Sequence, residues 1–207
     1  MTATPADPVV TTVPAAIASG VSTWPRLVDA MAGCPACPLS LSRTRVVTGV
    51  FPAGARVLLV GEAPGAAEDA GGLPFVGRSG QLLDTLLAAA GLARAGLAVC
   101  NVVKCRPPAN RPPRAVEVRT CRPWLDRQVG LIDPAVVVTL GATALAWALG
   151  RSARLAQAHG LPHDFGERVL VPTYHPAAAL RFGPRGAPMA ALRADLGTVA
   201  SLLSERL

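Results

Sequence analysis

Residues 57–80 read VLLVGEAPGAAEDAGGLPFVGRSG, an apolar run that empties into a glycine-rich loop. A run of this kind opens a βα unit, and in many chains the loop after it cradles a phosphate. This loop has neither the Gly-Lys-Ser/Thr ending nor the G-x-G-x-x-G spacing of such cradles. It also carries acid where a phosphate would be repelled, at Glu62 and at Glu68-Asp69. The loop is built to hold something else.

Outward from this stretch, LAVCNVV (Leu97–Val103), AVVVTL (135–140) and RVLVPTY (Arg168–Tyr174) read as three further strands. Between them lie helical patterns: Gln81–Gly91 with its glycine stop, Arg114 to about Val129, ATALAWALG, and an amphipathic segment at Ala190–Leu203. A short helix is expected around Trp24–Met31. Pro123 must either kink the 114–129 helix or start a new one. Strands alternating with helices make βαβ units, hence an α/β fold with a mostly parallel four-stranded sheet covered on both faces. Such sheets bind ligands at the carboxyl ends of their strands. Three loops are expected to converge there: GEAPG, Lys104-Cys105-Arg106 and His175-Pro176.

The 207 residues fit one domain over 23–207 behind a flexible Thr/Pro/Ala tail at 1–22. Hydrophobic residues make up 51% of the chain, a globular composition. A formal charge of +7 favours polyanionic partners, nucleic acid before an anionic membrane. All the basic residues but Lys104 are arginine, a bias from which no function follows. The N-terminus has no basic start or continuous apolar core, so no signal peptide is read there. Pro134–Gly150, the longest uncharged stretch, is too short for a membrane span and has a glycine in its middle. The expectation is a soluble, cytoplasmic monomer.

Five cysteines complete the inventory. Cys34 and Cys37 form a C-x2-C flanked by prolines, and Cys105 and Cys121 form a second pair downstream. Two pairs suggest a tetrathiolate site, and their spacing does not separate zinc from [4Fe–4S]. Cys100 lies in an apolar strand and reads as core. The downstream pair brackets an arginine-rich segment. From Lys104 to Arg127 seven basic residues, Arg106 and Arg111 among them, face only Glu117 and Asp126, a pattern suited to phosphate contact.

Taken in order, GEAPGAAEDAGGLPFVGRSGQLLD, NVVKCRPPANRPP with the later CRPWL, and TYHPAAALR resemble the iron–sulfur uracil-DNA glycosylases of family 4. The resemblance runs from about Cys34 to Leu203. It implies a three-layer αβα domain with a structural [4Fe–4S] cluster on Cys34, Cys37, Cys105 and Cys121. It implies hydrolysis of the N-glycosidic bond of uracil in single- or double-stranded DNA, leaving an abasic site. The opening loop would then hold a flipped base, and its acid would suit a neutral uracil and a developing cation.

By the same resemblance, Glu62 orients the attacking water and His175 donates to uracil O2. Phe75 stacks on the ring, Asn101 reads N3–H and O4, and backbone amides at Ala63 and Gly65 add contacts. Arg78, Ser79, Leu180 and Arg181 would grip or probe the DNA, with Arg106 and Arg111 on phosphate. Ala66-Ala67 departs from the polar residues of many relatives, and Ala179 stands where a larger leucine is common, which would weaken a wedge. Two rivals share the pattern. The related uracil-DNA-crosslinking type has a Gln at the position of Ala63 and an inserted histidine that Cys105–Thr120 lacks. A catalytically silent DNA-binding module would not need Glu62, Phe75, Asn101 and His175 together.

Overall fold

The structure, a computed structural model, describes residues 13–205. In chain order its elements are α1 (Val13–Gly20), α2 (Trp24–Ala32), β1 (Val57–Gly61), α3 (Ala66–Gly71), α4 (Arg78–Ala89), β2 (Ala98–Asn101) and α5 (Ala115–Ile132). Then come β3 (Val136–Leu140), α6 (Ala142–Leu149), α7 (Leu155–Ala158), β4 (His163–Phe165), β5 (Arg168–Thr173), α8 (Pro176–Phe182) and α9 (Ala187–Glu205). The strands form one sheet in the order β2-β1-β3-β5-β4, parallel throughout except for β4.

The four strands read from the sequence are all present. The fifth, β4, is a three-residue antiparallel edge containing His163, too short and too polar to stand out as a strand. Residues 13–20 of the segment read as tail form α1 and pack on α5. The rest of that tail, residues 1–12, lies outside the described residues. Pro123 sits within a single helix, α5. It offers no N–H to the carbonyl of Arg119, itself an exposed residue.

Period-two alternation divides the central strands between two cores. Leu58 and Val60 of β1 face one side, joined by Ala98, Cys100, Val137 and Leu170 and covered by α2, α5 and α6. Val57 and Leu59 face the other, with Val99, Val136, Val138 and Val171 under α4 and α9. Both faces being covered, β1 and β3 are buried at every position, as parallel strands must be. Among the described residues no helix is long and apolar enough to cross a membrane.

At the sheet's carboxyl edge the packing becomes tight enough to require glycine. A β-carbon on Gly80, in the first turn of α4, would fall inside the van der Waals shell of the Phe75 carbonyl and lie 2.9 Å from its Cα. Phe75 itself is held at φ 55°, a left-handed conformation costly for an aromatic residue. Gly80→Ala is therefore expected to cost about 1–3 kcal/mol through overpacking. Thermal melting reads this as a drop of several degrees, and an unchanged melting temperature would contradict the close approach.

Candidate active site and cysteine cage

A cleft of ≈ 890 Å³ opens where β1, β2, β3 and β5 end. Its lining includes Glu62, Ala63, Phe75, Asn101 and His175, so the loops after β1, β2 and β5 do converge. Asn101 at the end of β2 and Pro107, Asn110 and Arg111 from the loop that follows contribute to it, whereas Lys104 and Cys105 turn into the interior.

Glu62 is half-buried just beyond β1, and its Oε2 accepts the Thr143 hydroxyl. No hydrogen bond to its Oε1 occurs among the described residues, which leaves that oxygen for a ligand or a water. Thr143, in the first turn of α6, was missed in the sequence. The signal was available, because the loop after β3 leaves the same edge of the sheet as the other three.

His175 caps α8, its Nδ1 accepting the Ala177 N–H at 3.1 Å. That bond places the ring proton on Nε2. Burial pushes the imidazole pKa down to about 4, while the charge of Glu68 works weakly in the opposite direction. The residue is thus a neutral donor. Its ring lies 5.7 Å from that of Phe75, centroid to centroid. Phe75 belongs to the core beneath α4 and also lines the cleft, so its packing and its contact with a ligand coexist.

Asn101 is 2% exposed, and its Oδ1 has no protein partner. A buried acceptor left open at the floor of a cleft is a site for a ligand N–H. Gly61 makes room for it, since a β-carbon there would run into both Asn101 Oδ1 and the Phe75 ring. The Asn101 carbonyl accepts the Lys104 ammonium at 2.6 Å, and Gln128 Oε1 accepts the same ammonium at 2.6 Å.

The acid of the loop has a different task from the one read in the sequence. Glu68 accepts N–H groups from Gly65 at 3.0 Å, Val76 at 3.0 Å and Gly77 at 2.8 Å, clipping both sides of the Phe75 turn together. The Gly65 amide is therefore spent inside the loop and is not free for a ligand. Asp69 accepts from Thr44 at 2.9 Å and Arg45 at 3.3 Å. Glu68→Ala leaves three amides without their acceptor and is expected to cost about 1.5–3 kcal/mol. Chemical denaturation measures this directly; a variant as stable as the parent would remove the clip from the account.

The basic candidates separate. Arg78, Ser79 and Arg181 line the cleft, whereas Leu180 is exposed but not among its lining residues. Arg111 lines it too, yet pairs bidentately with the fully buried Glu117 at 2.6 and 2.9 Å. Its guanidinium holds the Glu117 carboxyl below the usual range. Arg106 lies outside the lining and bonds Asn110 Oδ1 at 2.8 Å.

On the α5 side of the sheet, Cys34, Cys37, Cys105 and Cys121 border one small pocket with Met31, Val46 and Trp124. Burial pushes the thiols of Cys105 and Cys121 up to about 11 and about 12. Arg43 donates to Cys105 Sγ at 3.4 Å and to the Cys34 carbonyl at 2.8 Å. Among the described residues no three Cys, His, Asp or Glu side chains close on a single metal ion. An all-sulfur donor set in apolar surroundings, with an arginine N–H on one sulfur, fits the ligation chemistry of an iron–sulfur group. Cys100 is buried in β2, as expected.

Together these features describe an αβα protein with a cleft at the carboxyl edge of its strands and, on the α5 side of the sheet, four free cysteines bordering one pocket. The Uracil DNA glycosylase superfamily model matches residues 48–197, and the chain belongs to that superfamily. It is 46% identical over 150 residues to the Type-4 uracil-DNA glycosylase of Thermotoga maritima, covering 72% of this chain and 78% of the relative. It is 43% identical over 164 residues to that of Pyrobaculum aerophilum, with coverage of 75% and 84%. Against that of Sulfurisphaera tokodaii the figures are 38% over 164 residues, 75% and 74%.

Proposed function

We infer that the chain excises uracil from DNA by hydrolysing the N-glycosidic bond, leaving an abasic site for repair. The observation that carries this is the meeting of Glu62, Phe75, Asn101 and a neutral His175 in one cleft. A glycosylase must draw its base out of the stack and read the edge thus exposed. Phe75 stacks on the ring. Asn101 Oδ1 accepts N3–H and its amide donates to O4, a pattern that cytosine reverses. Ala63 borders the base through its backbone.

As the C1′–N1 bond breaks, its electron pair goes to the uracil ring and charge collects on O2. The Nε2–H of His175 donates to that oxygen without giving up its proton. The sugar becomes oxocarbenium-like, and Glu62, steadied by Thr143, stabilises the cation and orients the water that adds to C1′. Arg78, Ser79 and Arg181 hold the flanking backbone. Arg106 and Arg111 belong first to their own loop, and any phosphate contact they make is secondary.

Cys34, Cys37, Cys105 and Cys121 would hold a [4Fe–4S] cluster, which supplies a structural tie and no redox step. The enzyme acts as a cytoplasmic monomer on uracil in single- or double-stranded DNA. Anaerobically purified protein mixed with an end-labelled oligonucleotide bearing one uracil tests the reading. Alkali-dependent cleavage at that position is the expected result. An intact strand would overturn it, and a slow-migrating protein–DNA band would point to covalent trapping instead.

A further inference from the structure

The cleft has an aromatic lip that the chemistry above leaves unused. Phe182, the last residue of α8, is 64% exposed and lines the cleft. It follows Arg181 directly and comes one turn after Ala178, four residues earlier, and both of these also line the cleft. Ala179, which stands where a larger leucine is common in the family the chain resembles, is fully buried in the core. Leu180 is exposed but is not among the residues lining the cleft.

Phe182 is also firmly mounted. Helix α8 packs against α4 and α9. The turn after it returns so closely that a β-carbon on Gly186 would sit 2.8 Å from Phe182 Cβ and 2.9 Å from its carbonyl oxygen. The Arg181 guanidinium lies over the ring, 5.8 Å from its centroid. A base-sized apolar ring thus stands on a fixed backbone beside a cation, at the mouth of a cleft in a positively charged chain.

We propose that Phe182 is the residue that enters the base stack of duplex DNA and fills the gap left by the extruded uracil. The inference rests on the uracil-excision reading. An inserted apolar side chain restores stacking lost when a base leaves, and the adjacent arginine neutralises the strand it displaces. A single strand has no paired stack to hold open, so the residue matters on duplex alone.

The test compares the full-length protein with Phe182→Ala and Phe182→Trp on one uracil oligonucleotide, single-stranded or annealed opposite guanine. Phe182→Ala is expected to lose roughly tenfold in kcat/KM on duplex and to stay within about twofold on the single strand. Phe182→Trp is expected to retain the duplex rate. Equal losses on both substrates, or an undiminished duplex rate in Phe182→Ala, would overturn the proposal. The parent protein separates this from the larger reading: its failure to release uracil from either substrate would refute the excision activity itself.

Discussion

His175→Ala is expected to lower kcat for uracil release by about 10²–10³ while leaving affinity for undamaged DNA unchanged. The expectation follows from where the donor is used. Uracil O2 is a weak acceptor in the intact nucleotide and a strong one as the bond breaks, so the interaction belongs mainly to the transition state. The Ala177 N–H on Nδ1 keeps Nε2 protonated, and burial holds the pKa at about 4. An ordinary histidine gains a proton near pH ~6.5. Activity should therefore show no His175 step around that value. The same shift has a sign for stability. The unfolded imidazole binds a proton as pH falls below ~6.5, whereas the folded one resists until about 4. The associated stability is complete above ~6.5 and is lost as pH falls through that window. Melting curves at the two ends, for parent and His175→Ala, isolate the contribution. A pH–rate step near 6.5 that disappears in the variant would refute the neutral-donor account.

Glu62→Gln is the companion case, with an expected loss of about 10²–10⁴ in kcat. The amide keeps the shape and can still bond Thr143, so neither the fold nor DNA affinity should change. What disappears is the negative charge facing the sugar and the acceptor that aims the water. Single-turnover rates on excess enzyme separate chemistry from product release. A variant within tenfold of the parent would move the water-orienting role elsewhere in the cleft.

Phe75, between α3 and α4, was legible only through the family resemblance, whereas Glu62, Asn101 and His175 were legible because each ends or closely follows a strand, and parallel topology gathers such positions. Thr143 obeys the same rule, but its value depends on how far α6 turns toward Glu62, which no local pattern encodes. Glu68 illustrates a different limit. A carboxylate in a glycine-rich loop reads as chemistry directed at a ligand, yet three backbone amides claim it first. Arg111 has a similar history, since its partner Glu117 sits at the start of α5 and is buried only once the helix docks. Ala179 looked like a weakened wedge because the direction of a side chain on a seven-residue helix is settled by packing between α4 and α9.

The close approach at Gly61 and Gly80 has a bearing on anyone wishing to retarget the enzyme to another lesion. The cleft floor is walled by main chain, the Asn101 side chain and the Phe75 ring, packed closely against Gly61 and Gly80. Bulk added at Gly61 would run into Asn101 and the Phe75 ring, and at Gly80 into the Phe75 backbone, so either change is expected to disturb base binding. Extra room for a bulkier damaged base has to come from trimming Phe75, at the expense of the stacking it provides. Selection for broader substrate range in a mutant library should therefore return changes at position 75 and along the α8 lip, and leave both glycines untouched.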